Sequence, residues 1–331
     1  MNLEKIGNIP SILKTPKLPV IAAPLFIISV PELVIAQCKA GVIGSFPALN
    51  AREKEGEPIE LEKWLKKITE ELDKHNQKNP DYPAAPFAVN QIVHRSNSRL
   101  MRDIEICVKW KVPIWITSLG ARPEVNEAAH SCGGIVLHDI INNTFAKKAI
   151  ERGADGLIAV AAGAGGHAGP QSPFALIQEI REWFNGPLLL SGSIATGKAL
   201  LASLIMGADL GYIGSPFIAT EEANASEIYK NMIVDSTAED ILLSSLFTGV
   251  SGNYLKPSIE NAGMDPSNLK DGSVRDMNFD PAKDKPKTWS QIFGCGQGIS
   301  KIKSIATVSQ FVKNLDEEYR NAITDFKNKF S

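Results

Sequence analysis

Short apolar runs with little polar alternation punctuate the first two thirds of the chain. They are Pro19–Ala23 (PVIAA), Gly41–Ser45 (GVIGS), Pro86–Asn90 (PFAVN), Pro113–Ser118 (PIWITS), Gly134–His138 (GIVLH), Gly156–Ala161 (GLIAVA), Leu188–Ser191 (LLLS) and Leu210–Gly214 (LGYIG). Each is too short for a helix and apolar on both faces, the pattern of a buried parallel strand. Between most of them the apolar positions take helical spacing, as in Pro31–Lys39, Leu61–His75, Ser98–Lys109, Asn143–Arg152, Ser172–Phe184 and Gly197–Met206.

Two junctions repeat almost literally, ERGADGLI at Glu151–Ile158 and IMGADLGYI at Ile205–Ile213. In each a helix ends, glycine supplies a left-handed cap and a strand begins. About eight such units, roughly 20–30 residues apart, predict an α/β fold of the (β/α)8 TIM-barrel type, with a doubly wound open sheet as the alternative. Beyond Glu221 the pattern changes. Glu222–Phe247 reads as helical with no further strand, and Gly249–Lys287 is rich in Gly, Pro, Asn, Asp and Ser. That stretch is too long for a simple connection and reads as an insertion or lid, or else as a linker. Trp289–Phe293 suggests a return to ordered chain, and Lys301–Phe330 reads as one or two closing helices. The expected divisions are a barrel over residues 1–225, an inserted substrate or lid domain over 226–295, and C-terminal helices returning to the barrel over 296–331.

Composition narrows the function more than the fold. The 331 residues are 44% apolar and 22% charged with a formal charge of −2, which gives no support for nucleic-acid or membrane binding. No apolar stretch reaches membrane-spanning length and the amino terminus lacks a signal core, so a cytoplasmic location is expected. Cys38, Cys107, Cys132 and Cys295 lie far apart without CxxC spacing, and the five histidines form no HxxxH or HExxH pattern, so neither disulfides nor a metal is expected. Cys295, within GCGQG, is the one thiol set in a suggestive context.

The densest chemistry lies in Val160–Pro170, VAAGAGGHAGP, where four glycines surround His167. Glycine admits close backbone approach and positive φ at an entropic cost, so the turn suits a flat or phosphorylated ligand, or a flexible surface loop. Two later loops, SGSIATG at Ser191–Gly197 and GYIGSP at Gly211–Pro216, follow successive strands, where barrels hold phosphate through backbone N–H groups and small hydroxyls. Ser193 and Ser215 are the candidate hydroxyl donors. Asn90, Ser118 and His138 each close a strand and either contact the ligand body or cap a turn. His167, with an ordinary pKa near 6.5, is the candidate acid–base group.

Taken together, Pro19–Asn50, FAVNQ, AAGAGGHAGP, SGSIATG, GYIGSPF and GCGQG resemble the nitronate monooxygenase (2-nitropropane dioxygenase) family, from about Pro19 to Ile302. The resemblance implies bound FMN and matches His167 to the family's proposed base. It places Asn90, Gly165, Gly192, Ser193, Gly214 and Ser215 at flavin contacts, the last four around the phosphate. Ala22, Ala23, Pro24 and Leu25 match the first-strand segment beside the isoalloxazine ring, and Ser118, His138, Gly166, Ser191 and Ile213 complete the expected cofactor set. Where nitronate-oxidising members often carry glutamine seven residues before the histidine, this chain has Val160, and it reads AAP where many have QGG-like residues.

The activity so implied is FMN-dependent oxidation of alkyl nitronates or nitroalkanes, with dioxygen as acceptor. NAD(P)H-dependent reduction of quinones or enoyl thioesters on the same scaffold is the alternative, and a flavin-free phosphosugar isomerase or ligand-binding barrel is a third. Tyr254 and the turn Gly296–Gly298 are expected to form a lid. A small-molecule substrate, dioxygen or NAD(P)H as redox partner, and a possible homodimer complete the expectations.

Overall fold

The computed structural model describes residues 9–53, 56, 58–269 and 291–330. Strands β1 (Val20–Ala22), β2 (Gly44–Pro47), β3 (Phe87–Ile92), β4 (Ile114–Ser118), β5 (Ile135–Ile140), β6 (Gly156–Val160), β8 (Leu188–Ser191) and β9 (Leu210–Ile213) form one eight-stranded sheet, with β7 (Gly166–His167) outside it. All ladders in this sheet are parallel, in the order β1-β9-β8-β6-β5-β4-β3-β2. Closure comes from Ala22 N–H donating to Ile43 O at 2.8 Å and Ile43 N–H donating to Val20 O at 3.1 Å. The result is a (β/α)8 barrel, with all eight expected strands present.

Strand alternation sorts the apolar residues into two layers. Ile21, Ile43, Ala88, Ile114, Ile116, Leu137, Ile158, Leu189, Leu210 and Tyr212 fill the interior, joined by Leu13 from a 3-10 turn at Ser11–Lys14. Their neighbours Val20, Ala22, Val89, Trp115, Val136, Leu157 and Leu190 face the helices.

The surrounding helices are α1 (Pro31–Ala40), α2 (Ile59–Lys78), α3 (Leu100–Lys109), α4 (Pro123–Ser131), α5 (Asn143–Glu151), α6 (Pro173–Arg181) and α7 (Gly197–Ile205). Of these α4 is not among the predicted helices: PEVNEAAHS buries only Val125, Asn126 and Ala129, too thin an apolar stripe to read from sequence. Gly41, at φ 96°, ends α1 in the left-handed conformation.

Past the barrel, α8 (Ser215–Ile218) and α9 (Glu227–Asp235) are followed by β10 (Ile241–Ser244), β11 (Gly252–Leu255), α10 (Lys256–Asn261) and the closing α11 (Val308–Phe330). The expectation of a helix through Phe247 with no later strand is therefore corrected. The helix stops at Asp235, and β10 and β11 join β7 in a three-stranded antiparallel sheet. Much of Gly249–Lys287, together with Trp289, lies outside the described residues. Among those described, no helix is long and apolar enough to cross a membrane.

Candidate active site

A cavity of about 1210 Å³ opens at the carboxyl ends of the barrel strands. One end of it is a cradle of small residues. Ser193 N–H donates to Gly163 O at 3.3 Å, and Gln297 N–H donates to the same oxygen at 2.9 Å. Gly296 N–H donates to Ser215 Oγ at 2.8 Å. Four segments far apart in sequence, at Gly163, Ser193, Ser215 and Gly296–Gln297, thus meet here, and glycine is what lets their backbones close. A β-carbon on Gly165 would lie 2.7 Å from Gly296 N, and one on Gly298 would lie 3.0 Å from the Ser193 backbone. No Lys, Arg, Asp or Glu from these loops lines the cavity; its cations and carboxylates (Arg52, Arg99, Lys148, Glu53, Asp139) come from elements near β2, β3 and β5. The N-terminus of α7 is itself engaged, since Gly197 N–H donates to Glu318 Oε2 at 2.8 Å.

The glycine turn is strapped to the second sheet. Gly166 pairs with Asn253 and His167 with Gly252, while Ala168 N–H donates to Ser251 O at 3.1 Å. Asn253 Nδ2 reaches back to Ala164 O at 2.7 Å. His167 Nε2 lies 3.0 Å from Thr248 Oγ1, and burial pulls its pKa down to about 4, so the imidazole is neutral at pH 7.

Deeper in the barrel mouth a polar chain has a defined direction. Asn90 Nδ2 donates to Ile116 O at 3.2 Å and to Ser118 Oγ at 2.8 Å. The Ser118 hydroxyl donates onward to Asp139, whose carboxyl burial raises to about 6. Both Asn90 N–H bonds are committed, so Asn90 offers a ligand only its acceptor oxygen. His138 is buried with Nδ1 2.6 Å from Thr117 Oγ1, and desolvation lowers its pKa to about 4.

Of the residues singled out in the sequence, Ala23, Pro24, Leu25, Asn90, Ser118, His138, Gly165, Gly166, His167, Ser191, Gly192, Ser193, Gly214 and Ser215 line this cavity. Ala22 and Ile213 do not: both are fully buried in the layer between strands and helices. Tyr254 is likewise no lining residue. It is fully buried behind the cavity wall, edge-on to Phe247 at 4.9 Å. Gly296 and Gly298, by contrast, do line the cavity.

Sequence reading missed Asp139, Thr248, Asn253 and Asn50. Asn50 fastens the loop after β1, accepting from Ile27 N at 2.8 Å and donating to Leu25 O and Ser29 O, each at 2.9 Å. That grip holds Ile27 at a φ of 68°. Cys38, Cys107 and Cys295 are free and buried, and burial pushes each thiol up, Cys38 to about 12, so none is set up as a nucleophile. Among the described residues no group of His, Cys, Asp and Glu is placed to hold a metal ion.

The fold and cavity define a (β/α)8 enzyme scaffold with its cavity at the strand carboxyl ends. Residues 10–318 match the nitronate monooxygenase family, and the chain belongs to it. The family is one of flavin-using oxidoreductases. A probable nitronate monooxygenase of Staphylococcus aureus is 25% identical over 184 residues, 52% of this chain and 51% of that protein, so the chain spans about half the length of this curated relative. Among solved structures, FabK from Thermotoga maritima superposes with a TM-score of 0.75 at 20% identity, covering 97% of this chain and 98% of that one. A nitroalkane oxidase from Streptomyces ansochromogenes gives 0.72 at 19% identity, covering 96% and 100%. At these identities the two structures show the shared fold.

Proposed function

We propose that the protein is an FMN-dependent oxidoreductase that oxidises alkyl nitronates or nitroalkanes with dioxygen as acceptor. The observation that carries the reading is the presence, in one cavity, of a small-residue cradle and a neutral, half-buried histidine. The residues fit the cofactor. Ser193 and Ser215 supply hydroxyls, Gly192 and Gly214 supply open backbone, and no acidic side chain at that end opposes an anion. A cavity of about 1210 Å³ exceeds the ~300–1,000 Å³ of most single-ligand pockets and suits a cofactor with a substrate beside it.

Bound FMN would supply the electron-transfer chemistry. Ala23–Leu25, Gly165 and Gly166 would bound its ring, and the Asn90 oxygen would accept from the ring's imide N–H. His167 would remove the α-proton of a neutral nitroalkane, a task that needs an uncharged imidazole. Gly296 and Gly298, closing one wall, would keep water out.

Mixing the flavin-loaded protein anaerobically with ethylnitronate tests the proposal: the flavin band bleaches and returns on admitting air. No bleaching overturns it. His167→Asn should keep flavin and lose neutral nitroalkane turnover by about 100-fold or more.

One feature favours a second reading. Arg52 and Lys148 line the cavity away from the cradle and suit the phosphates of NAD(P)H or of a thioester carrier. Rapid anaerobic bleaching by NADH or NADPH, with none by nitronate, would select that reductase.

A further inference from the structure

The barrel mouth divides into two arcs of different chemistry. The cradle is built on the loops after β6, β8 and β9, which are neighbours in the sheet. The other arc, β1 to β5, brings Ile27, Leu49, Ile92, Leu119 and Ile141 to the same cavity, each from a strand end or the loop after it. Leu49 is buried and the other four are half-buried. Among the described residues, none of the five joins a hydrophobic cluster of the barrel or of the second sheet. Apolar side chains ordinarily collect in such clusters. Five that stand outside them and border one cavity make an apolar wall that the core does not fill.

Backbone strain falls on the same wall. Ile27 stands at φ 68° and Leu119 at φ 63°, the left-handed region that a β-branched or bulky side chain rarely enters. Ile27 N–H donates to Asn50 Oδ1 at 2.8 Å, and Asn224 Nδ2 donates to Ile27 O at 3.1 Å. Leu119 N–H donates to the Asp139 carboxyl. Strain fixed by such partners at a cavity wall points to a shape that matters to a ligand. The charges of this arc are engaged beside the wall: Asp103 holds Arg99 at 2.9 Å, Arg102 holds Glu53 at 2.8 Å, and Arg52 lies over the Phe26 ring at 5.7 Å.

We infer that the β1–β5 arc binds the substrate's carbon chain, and that Ile27 and Leu119 are specificity-determining residues that favour nitronates with an apolar chain of several carbons over the shortest ones. The inference rests on the proposed nitronate reading and names its substrate class. With the cradle arc given to the cofactor, the apolar wall across the same cavity of about 1210 Å³ is left for the substrate. An alkyl chain is the occupant that this wall suits, because it asks for no hydrogen bond and gains affinity from each methylene it buries.

The test is a chain-length series on the flavin-loaded protein, with preformed nitronates from ethyl to octyl as reactants and 1-alkanols of the same lengths as unreactive probes. Anaerobic flavin bleaching reads the nitronates, and the shift of the flavin band reads the alkanols. In both series affinity should rise about 2- to 4-fold per added methylene. Leu119→Asn and Ile27→Asn keep a side chain that tolerates positive φ while putting an amide on the wall. Each should flatten the rise and cost octylnitronate about 10-fold relative to ethylnitronate, whereas Leu119→Met should keep the rise. A purely structural role would weaken short and long chains alike. Affinity independent of length in the wild type, or a rise unchanged in both asparagine variants, overturns the inference. If the alkanol series rises and Leu119→Asn flattens it, yet no nitronate bleaches the flavin, the apolar site stands and the nitronate reading falls.

Discussion

Gly163 and Ser193 approach so closely that a β-carbon on Gly163 would lie 2.3 Å from the Ser193 hydroxyl oxygen. Gly163 also sits at φ 87°, where an L side chain costs ~1–2 kcal/mol. Gly163→Ala should therefore push Ser193 out of the cradle while the barrel stays folded. FMN affinity, read by fluorescence quenching on binding, should fall by ~10-fold or more, since each ~1.4 kcal/mol is tenfold. Unchanged affinity would show that the cradle does not hold the cofactor.

Asn253 makes a second prediction about the same turn. Its side chain satisfies the carbonyl of Ala164, which is buried beneath the glycine loop. Asn253→Ala leaves that oxygen without this donor, a loss worth ~1–3 kcal/mol when the group cannot reach water. The loss should appear as faster hydrogen exchange through Gly163–Gly169 and weaker flavin retention. Exchange rates equal to wild type would argue that β11 pairing alone holds the turn.

The closing helix is fastened to the barrel just beside the cradle. A β-carbon on Gly197 would lie 2.0 Å from Tyr319 N, and Glu318 caps the N-terminus of α7. Gly197→Ala should lower stability by about 3 kcal/mol or more, because both sides of the clash are backbone. Glu318→Ala should cost ~1–2 kcal/mol through the lost cap and its interaction with the helix dipole. Urea midpoints at saturating FMN measure both. A wild-type midpoint for Gly197→Ala would mean that α11 is free to move away.

Much of this architecture was legible in the chain, because each barrel strand is short, apolar on both faces and closed by a polar or small residue. The candidate site was legible to the precision of the loops. What local sequence left open was facing. Counting inward from Ile135 and Leu137 makes Asp139, not His138, the inward position at the end of β5. His138 keeps the parity of Val136 and Ile140, yet still borders the cavity. The same alternation puts Ala23 inward and Ala22 outward, and turns Ile213 towards the helices. Thr248, Asn253 and the strand Ile241–Ser244 were hidden for another reason. Gly252 and Asn253 pair with His167 and Gly166, a contact across more than 70 positions of chain that no local pattern encodes, and Ile241–Ser244 joins the sheet only by pairing with that strand.

His138 gives a prediction about acid stability. Its folded pKa of about 4 lies below the ordinary 6.5, so the native state binds fewer protons than the unfolded chain between those values. Its contribution is complete above pH 6.5, declines as pH falls towards 4, and amounts to about 3 kcal/mol in all. Asp103 and Asp139, raised by burial to about 6, act in the opposite sense, adding stability as pH falls through 6. The whole-protein profile therefore mixes opposing contributions, and a difference between variants isolates one of them. His138→Gln can keep a hydrogen bond to Thr117 while removing the titration. Between about pH 6.5 and 4 its urea stability should fall less steeply than wild type, by close to one proton in the linkage slope. Identical slopes would mean that His138 is protonated in the folded protein, and that the desolvation assigned to it is offset by a partner within the barrel mouth.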